Sequence, residues 1–242
     1  MTDINAINGI VSAQHNQPHQ VLGLQTNDTG YITISAFLPY AQSVSVFAKN
    51  TKKVIATLNK LDDNGFYSKK LRRKKLFDYQ LEVTVNGKKS RIEDPFAFAP
   101  TLGELDLHLL REGNHLHPYN ILGAHVKTIN GVKGVSFAVW APNAKRVSVV
   151  GEFNNWDGRC HPLTNQDFSG YWSLFIPQLS AGELYKFEIL DNDGNLLPLK
   201  ADPYGLQAQF RPETASIVNA EKHYKWQDKA WLKARENRNS RH

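Results

Sequence analysis

A tryptophan set among turn-forming residues follows an apolar run in Val149-Val150-Gly151-Glu152-Phe153-Asn154-Asn155-Trp156-Asp157-Gly158. Asn, Asp and Gly favour turns, so Trp156 should stand at a strand end, on a loop, with a flat apolar ring face among polar neighbours. Sugars suit such a site. The C–H face of a pyranose ring can stack on the indole while amides such as Asn155 and an ammonium group bind the hydroxyls. The competing reading of the same residues is a half-buried core tryptophan.

Other reactive residue types are less well arranged. His117, His125 and His161 have spacings that fit no zinc pattern and no cysteine ligands accompany them, so no metal and no cofactor are expected. Cys160 is the only cysteine, so no disulfide can form within the chain and a reducing, cytoplasmic setting is the expectation. Its neighbours Arg159 and His161 could lower its thiol pKa, but the sequence arranges no base and orienter around it. None of the 23 acidic residues is nominated as catalytic, and Asp157, Asp191 and Asp193 read as turn formers.

The elements that must position Trp156 come from an internal repeat. Leu22-Gly23 recurs as Leu122-Gly123, and Phe37-Leu38-Pro39-Tyr40-Ala41 with Val44-Ser45-Val46 recurs as Trp140-Ala141-Pro142-Asn143-Ala144 with Val147-Ser148-Val149. Gly65-Phe66-Tyr67 answers to Gly170-Tyr171-Trp172, Tyr79 to Val83 answers to Tyr185 to Ile189, and Asp94-Pro95-Phe96 answers to Asp202-Pro203-Tyr204. Within each copy, period-two apolar alternation is broken by turns such as Asn86-Gly87 and Asp193-Gly194. About seven short strands per roughly 100 residues is the pattern of an immunoglobulin-like sandwich.

The expected fold class is therefore all-β: two tandem sandwiches at 16–100 and 115–220, joined by a partly helical linker at 101–114. A flexible lead at 1–15 and a basic connector tail at 221–242 flank them. The net charge of +6 is concentrated in that tail, which holds seven basic and three acidic residues, and in a cluster from Lys69 to Lys75 interrupted by Leu71. That cluster reads as a solvated hairpin edge guarded against strand pairing. No nucleic-acid partner is expected, because no aromatic stacking platform is visible beside it, and no membrane partner, because no apolar stretch approaches a span.

The run from Val149 to Trp156, with Leu184-Tyr185-Lys186-Phe187-Glu188-Ile189 downstream, resembles a family 48 carbohydrate-binding module. His117-Pro118-Tyr119, Leu122-Gly123-Ala124-His125, Phe137 to Ala144, Lys200 to Tyr204 and Arg211 to Ser216 resemble the bacterial glycogen branching enzymes in particular. Many members of that family carry an extra amino-terminal module, which the first copy matches. The resemblance implies an α-glucan ligand (glycogen or a maltooligosaccharide), Trp156 as the stacking ring and Lys186 as the hydroxyl contact. The second tryptophan of glycogen-sensing relatives is replaced here by Asn195-Leu196-Leu197 after Gly194, so weak single-site binding is expected.

The family belongs to glycoside hydrolase family 13 and transfers α-1,4-glucan chains to form α-1,6 branches, using two carboxylates in a (β/α)₈ barrel of roughly 250 residues. After residue 220 only the tail remains, so the chain alone is expected to be inactive: an amino-terminal fragment that binds α-glucan and braces the barrel. A stand-alone glycogen-binding regulatory or targeting protein is the alternative.

Overall fold

In a computed structural model, which describes residues 4–26, 30–220 and 226–238, alternating apolar residues fold into two β-sandwiches. The first contains β1 (Gly23–Thr26), β2 (Ile32–Phe37), β3 (Ser43–Ala48), β4 (Val54–Thr57), β5 (Asn59–Asp62), β6 (Phe66–Lys70), β7 (Tyr79–Val85) and β8 (Lys88–Ile92). Its antiparallel sheets run β1-β2-β6-β5 and β4-β3-β7-β8. The register sets Val44 opposite Val83 and Val46 opposite Leu81, so one face of β3 and β7 is wholly apolar and packs on Ile32 and Ile34 from the facing sheet.

The second sandwich contains β9 (Gly123–Ile129), β10 (Val132–Trp140), β11 (Ala144–Gly151), β12 (Thr164–Asn165), β13 (Tyr171–Pro177), β14 (Leu184–Asp191), β15 (Gln207–Ala208) and β16 (Ser216–Ile217). Its sheets run β12-β13-β10-β9 and β11-β14-β16-β15. Val135, Phe137 and Val139 of β10 meet Val147 and Val149 of β11 and Tyr185 and Phe187 of β14 around a fully buried Trp172. The fold is thus mostly β, with short helices at the module edges.

The duplication extends further than the strand motifs. Helix α1 (Ile4–Val11) precedes the first sandwich and α2 (Glu104–Arg111) the second, at the same offset of 100 that relates Leu22-Gly23 to Leu122-Gly123. Ile10 of α1 is buried against Val21, Leu22, Phe37 and Phe66. Leu107 and Leu110 of α2 are buried against Leu122, Ala138 and Tyr171 in the same manner. The helix expected in the linker therefore seals an edge of the second sandwich, and α1 gives the amino-terminal lead an anchored structure that its polar composition did not announce. In the tail, α3 (Lys229–Arg238) is helical, while 221–225 and 239–242 lie outside the described residues.

Each module closes with the same buried polar pair. Tyr79 donates its hydroxyl to Asp94 (2.7 Å) and Tyr185 donates to Asp202 (2.6 Å). The other carboxylate oxygens accept from the backbone N–H of Phe96 (2.9 Å) and Tyr204 (2.8 Å). This explains why Asp-Pro-aromatic follows the Tyr-led strand in both copies: a buried carboxyl needs partners, and the turn supplies them. Burial still dominates, raising Asp94 to about 6 and Asp202 above its ordinary range.

Candidate functional site

The loop after β11 is built to a fixed shape. Asn154 is buried, its Oδ1 accepting from Gly151 N–H (3.0 Å) and its Nδ2 donating to the Val149 carbonyl (2.9 Å). A single 3₁₀ turn over Glu152–Asn154 leads into two consecutive left-handed residues, Asn155 at φ 54° and Trp156 at φ 60°. Asn tolerates that conformation; for a bulky residue it costs on the order of 1–3 kcal/mol and persists only where surroundings impose it. Here the Trp156 N–H is held by the Gly151 carbonyl at 2.9 Å.

The result is a tryptophan with 37% of its surface open to solvent and an exposed Asn155 beside it. Trp156 is not part of the buried core cluster, in which Trp172 is fully covered. Lys186 lies on β14 opposite Val150 of β11, one residue before the Gly151 that anchors the Trp156 backbone. Its ammonium donates to Thr214 Oγ1 (2.7 Å), which leaves further N–H groups for a ligand. All three residues expected from sequence therefore fall at one end of the β11–β14 pair or on the loop that leaves it.

Beneath the loop is an ion pair that sequence reading missed. Arg146 is buried; its Nη2 meets Glu188 Oε1 at 2.7 Å and its Nη1 donates to Ser148 Oγ (2.6 Å). Among the described residues its Nε is the one buried side-chain nitrogen or oxygen without a hydrogen-bond partner. Gly158 lies directly on this pair: a Cβ there would fall 1.8 Å from Glu188 Oε1, so a larger residue would require the Glu188 carboxylate to shift away from Arg146. The signal was in the strand pattern, because Arg146, Ser148, Lys186 and Glu188 share the face that alternation turns away from the core.

Charges next to the loop are also committed. Burial opposes ionisation of Asp157, but hydrogen bonds from the Arg159 guanidinium and backbone outweigh it and hold the carboxyl below its usual range. Cys160 is an unactivated thiol: burial first, then the Asp157 charge, push it up to about 12 despite the neighbouring Arg159 and His161. The histidines do not converge. His117 pairs with the Tyr119 hydroxyl (2.8 Å), His125 with the Leu122 carbonyl (2.9 Å), and His161 Nδ1 with Asn154 Nδ2 (2.9 Å). Among the described residues no group of three His, Cys, Asp or Glu side chains could hold a metal ion.

Half-buried His161 and His19 are both held down to about 4 by desolvation, against an ordinary 6.5. The unfolded chain takes up these protons near pH 6.5 and the native chain does not, so stability is lost as pH falls from about 6.5 towards 4. Asp94 acts in the opposite sense, its raised pKa removing stability as pH rises from about 4 to about 6. Comparing the parent with His161→Asn separates them: the variant's melting temperature should fall less between pH 7 and pH 5. Parallel curves would refute a neutral, desolvated His161.

Away from the loop, the basic cluster has aromatic partners that its sequence did not reveal. Lys70 and Lys74 lie over the Tyr31 ring at 5.2 and 5.1 Å, and Arg73 lies over Phe77 at 4.8 Å. Lys69 donates to the Thr57 carbonyl across the hairpin edge (2.9 Å). Among the described residues no helix is long and apolar enough to cross a membrane.

Two family models match successive stretches of the chain. Residues 3–96 match the family model described as alpha-1,4-glucan branching enzyme GlgB, N-terminal domain, and residues 121–205 match carbohydrate-binding module 48 (isoamylase N-terminal domain). Among solved structures, pullulanase type I from Bacillus subtilis complexed with maltose is 18% identical over 81% of this chain and 26% of its own, with a TM-score of 0.35. Pullulanase from Anoxybacillus sp. LM18-11 is 15% identical over 84% and 29%, with a TM-score of 0.34. A putative alpha amylase from Salmonella typhimurium is 22% identical over 46% and 16%, with a TM-score of 0.32. The chain thus spans less than a third of each of these three structures.

Proposed function

We propose, for a chain that carries the amino-terminal domain of the glucan branching enzymes followed by a family 48 carbohydrate-binding module, that it holds α-glucan for a branching enzyme and braces that enzyme's catalytic barrel. The observation that carries the reading is Trp156: a solvent-facing indole, kept in a strained left-handed conformation by a loop whose polar groups are otherwise satisfied. Strain of this kind clusters at binding and catalytic sites. Asn155 and Lys186 supply an amide and an ammonium for sugar hydroxyls. The chemistry of chain transfer belongs to the barrel, and none of the carboxylates in this chain is assigned a part in it.

The bracing role is supported by exposed large apolar side chains of the second sandwich: Leu196, Leu206 and Phe210 are 61%, 57% and 95% exposed. The barrel is the occupant we assign to them.

Affinity electrophoresis through gels containing glycogen tests the binding reading. Trp156→Ala should weaken retardation about tenfold in apparent Kd, about 1.4 kcal/mol, which is within the span of one aromatic contact. Because Trp156 is outside the core, thermal unfolding of the variant should remain a single cooperative transition. Equal retardation of parent and variant would remove Trp156 from the site.

A further inference from the structure

The sugar-facing loop is touched by the first module. Tyr40, in the turn after β2, is 49% exposed and donates its hydroxyl to Asp157 Oδ2 at 3.0 Å, although 117 positions separate them. Asp157 follows Trp156 directly, and the same Oδ2 also accepts from Arg159 Nη2 (2.7 Å). Between the modules is a cleft of about 300 Å³ whose walls include Pro39, Tyr40 and Phe96 from the first sandwich and Phe153, Asn155 and Leu179 from the second. Tyr40 and Asn155 therefore line one cavity.

The walls are fixed with respect to each other. Glu93 N–H donates to Gln178 Oε1 (3.3 Å), Asn165 N–H donates to the Asn16 carbonyl (3.0 Å), and Phe98 meets Phe175 edge-on at 4.9 Å. A tyrosine at this place is particular to the first copy. In the second copy the matching position of Pro-X-Ala is Asn143, whereas the copy that faces the Trp156 loop carries an aromatic ring.

Resting on the proposal that Trp156 stacks on glucose, we infer that the α-glucan site crosses the module boundary, with Tyr40 as a second aromatic platform. The Tyr40–Asp157–Arg159 chain forms its polar edge. A linear α-1,4-glucan presents successive ring faces and hydroxyl rims, so two platforms separated by a polar edge select a run of several glucose units over a single disaccharide. The first module then takes part in recognition directly. The ligand class is a linear maltooligosaccharide longer than maltose.

Titration calorimetry on the full chain with maltose and with maltoheptaose tests this. Tyr40→Ala should weaken maltoheptaose about fivefold and change maltose less than about twofold, while Tyr40→Phe, which keeps the ring, should stay within about twofold of the parent for both. Trp156→Ala should weaken both sugars. If Tyr40→Ala binds maltoheptaose like the parent while Trp156→Ala does not, the site ends within the second module and this inference is overturned with the binding reading intact. If neither substitution changes maltoheptaose affinity, the binding reading itself is wrong.

Discussion

Glu188→Ala is expected to destabilise the native chain by about 3–5 kcal/mol, because it strands the buried Arg146 guanidinium without a counter-charge. The pair is not an ornament of the surface: Arg146 is 2% exposed and already has one unpartnered nitrogen. Removing both charges is a different matter, since an apolar pair of similar volume needs no solvation; the double variant Arg146→Met with Glu188→Leu should recover most of the loss. Urea unfolding monitored by fluorescence reads both. The Gly158 backbone lies over this pair, so Glu188→Ala should also loosen the Trp156 loop and reduce glucan retention. A loss below about 1 kcal/mol would mean that the pair is hydrated and does not support the loop.

Trp172→Ala is expected to cost about 3–5 kcal/mol by leaving a cavity at the centre of the second sandwich. The indole is fully buried between both sheets and donates its N–H to the Ala141 carbonyl at 2.9 Å, so the substitution also leaves that acceptor without its donor. In the first sandwich the matching residue, Tyr67, is equally buried and donates its hydroxyl to the carbonyl of Ala41 (2.5 Å). The polar tip of a large core aromatic thus ties the sheet to the following loop in both modules. Guanidinium unfolding of Trp172→Ala should show a midpoint shift with little change in slope. An unshifted midpoint would contradict the central place given to this residue.

These two tryptophans show what was legible in the residues alone. Trp156 follows two asparagines and precedes Asp157-Gly158, which predicts a loop; Trp172 shows in sequence only as the repeat's counterpart of Tyr67, and the fold places it in the core. The repeat was legible for the same reason, since turn residues and apolar alternation recur locally. What escaped notice depends on contacts between distant positions. Nothing near Tyr40 in the chain points to Asp157, and Glu188 reads as an exposed strand residue until register brings it against Arg146. Cys160 reads as unactivated because no base and orienter accompany it in sequence, while burial, which no local pattern reports, sets the direction of its pKa. Lys70, Lys74 and Tyr31 are likewise joined only by the fold.

The account depends on one indole meeting a glucose ring, and the indole N–H resonances report it directly. The chain has five tryptophans, and the Trp156 signal is identified by its absence from the spectrum of Trp156→Ala. Titrating isotopically labelled protein with maltoheptaose should move the Trp156 resonance progressively and saturably, while that of Trp172, sealed in the core, stays in place. A Trp156 signal that does not move at millimolar maltoheptaose would contradict the central claim.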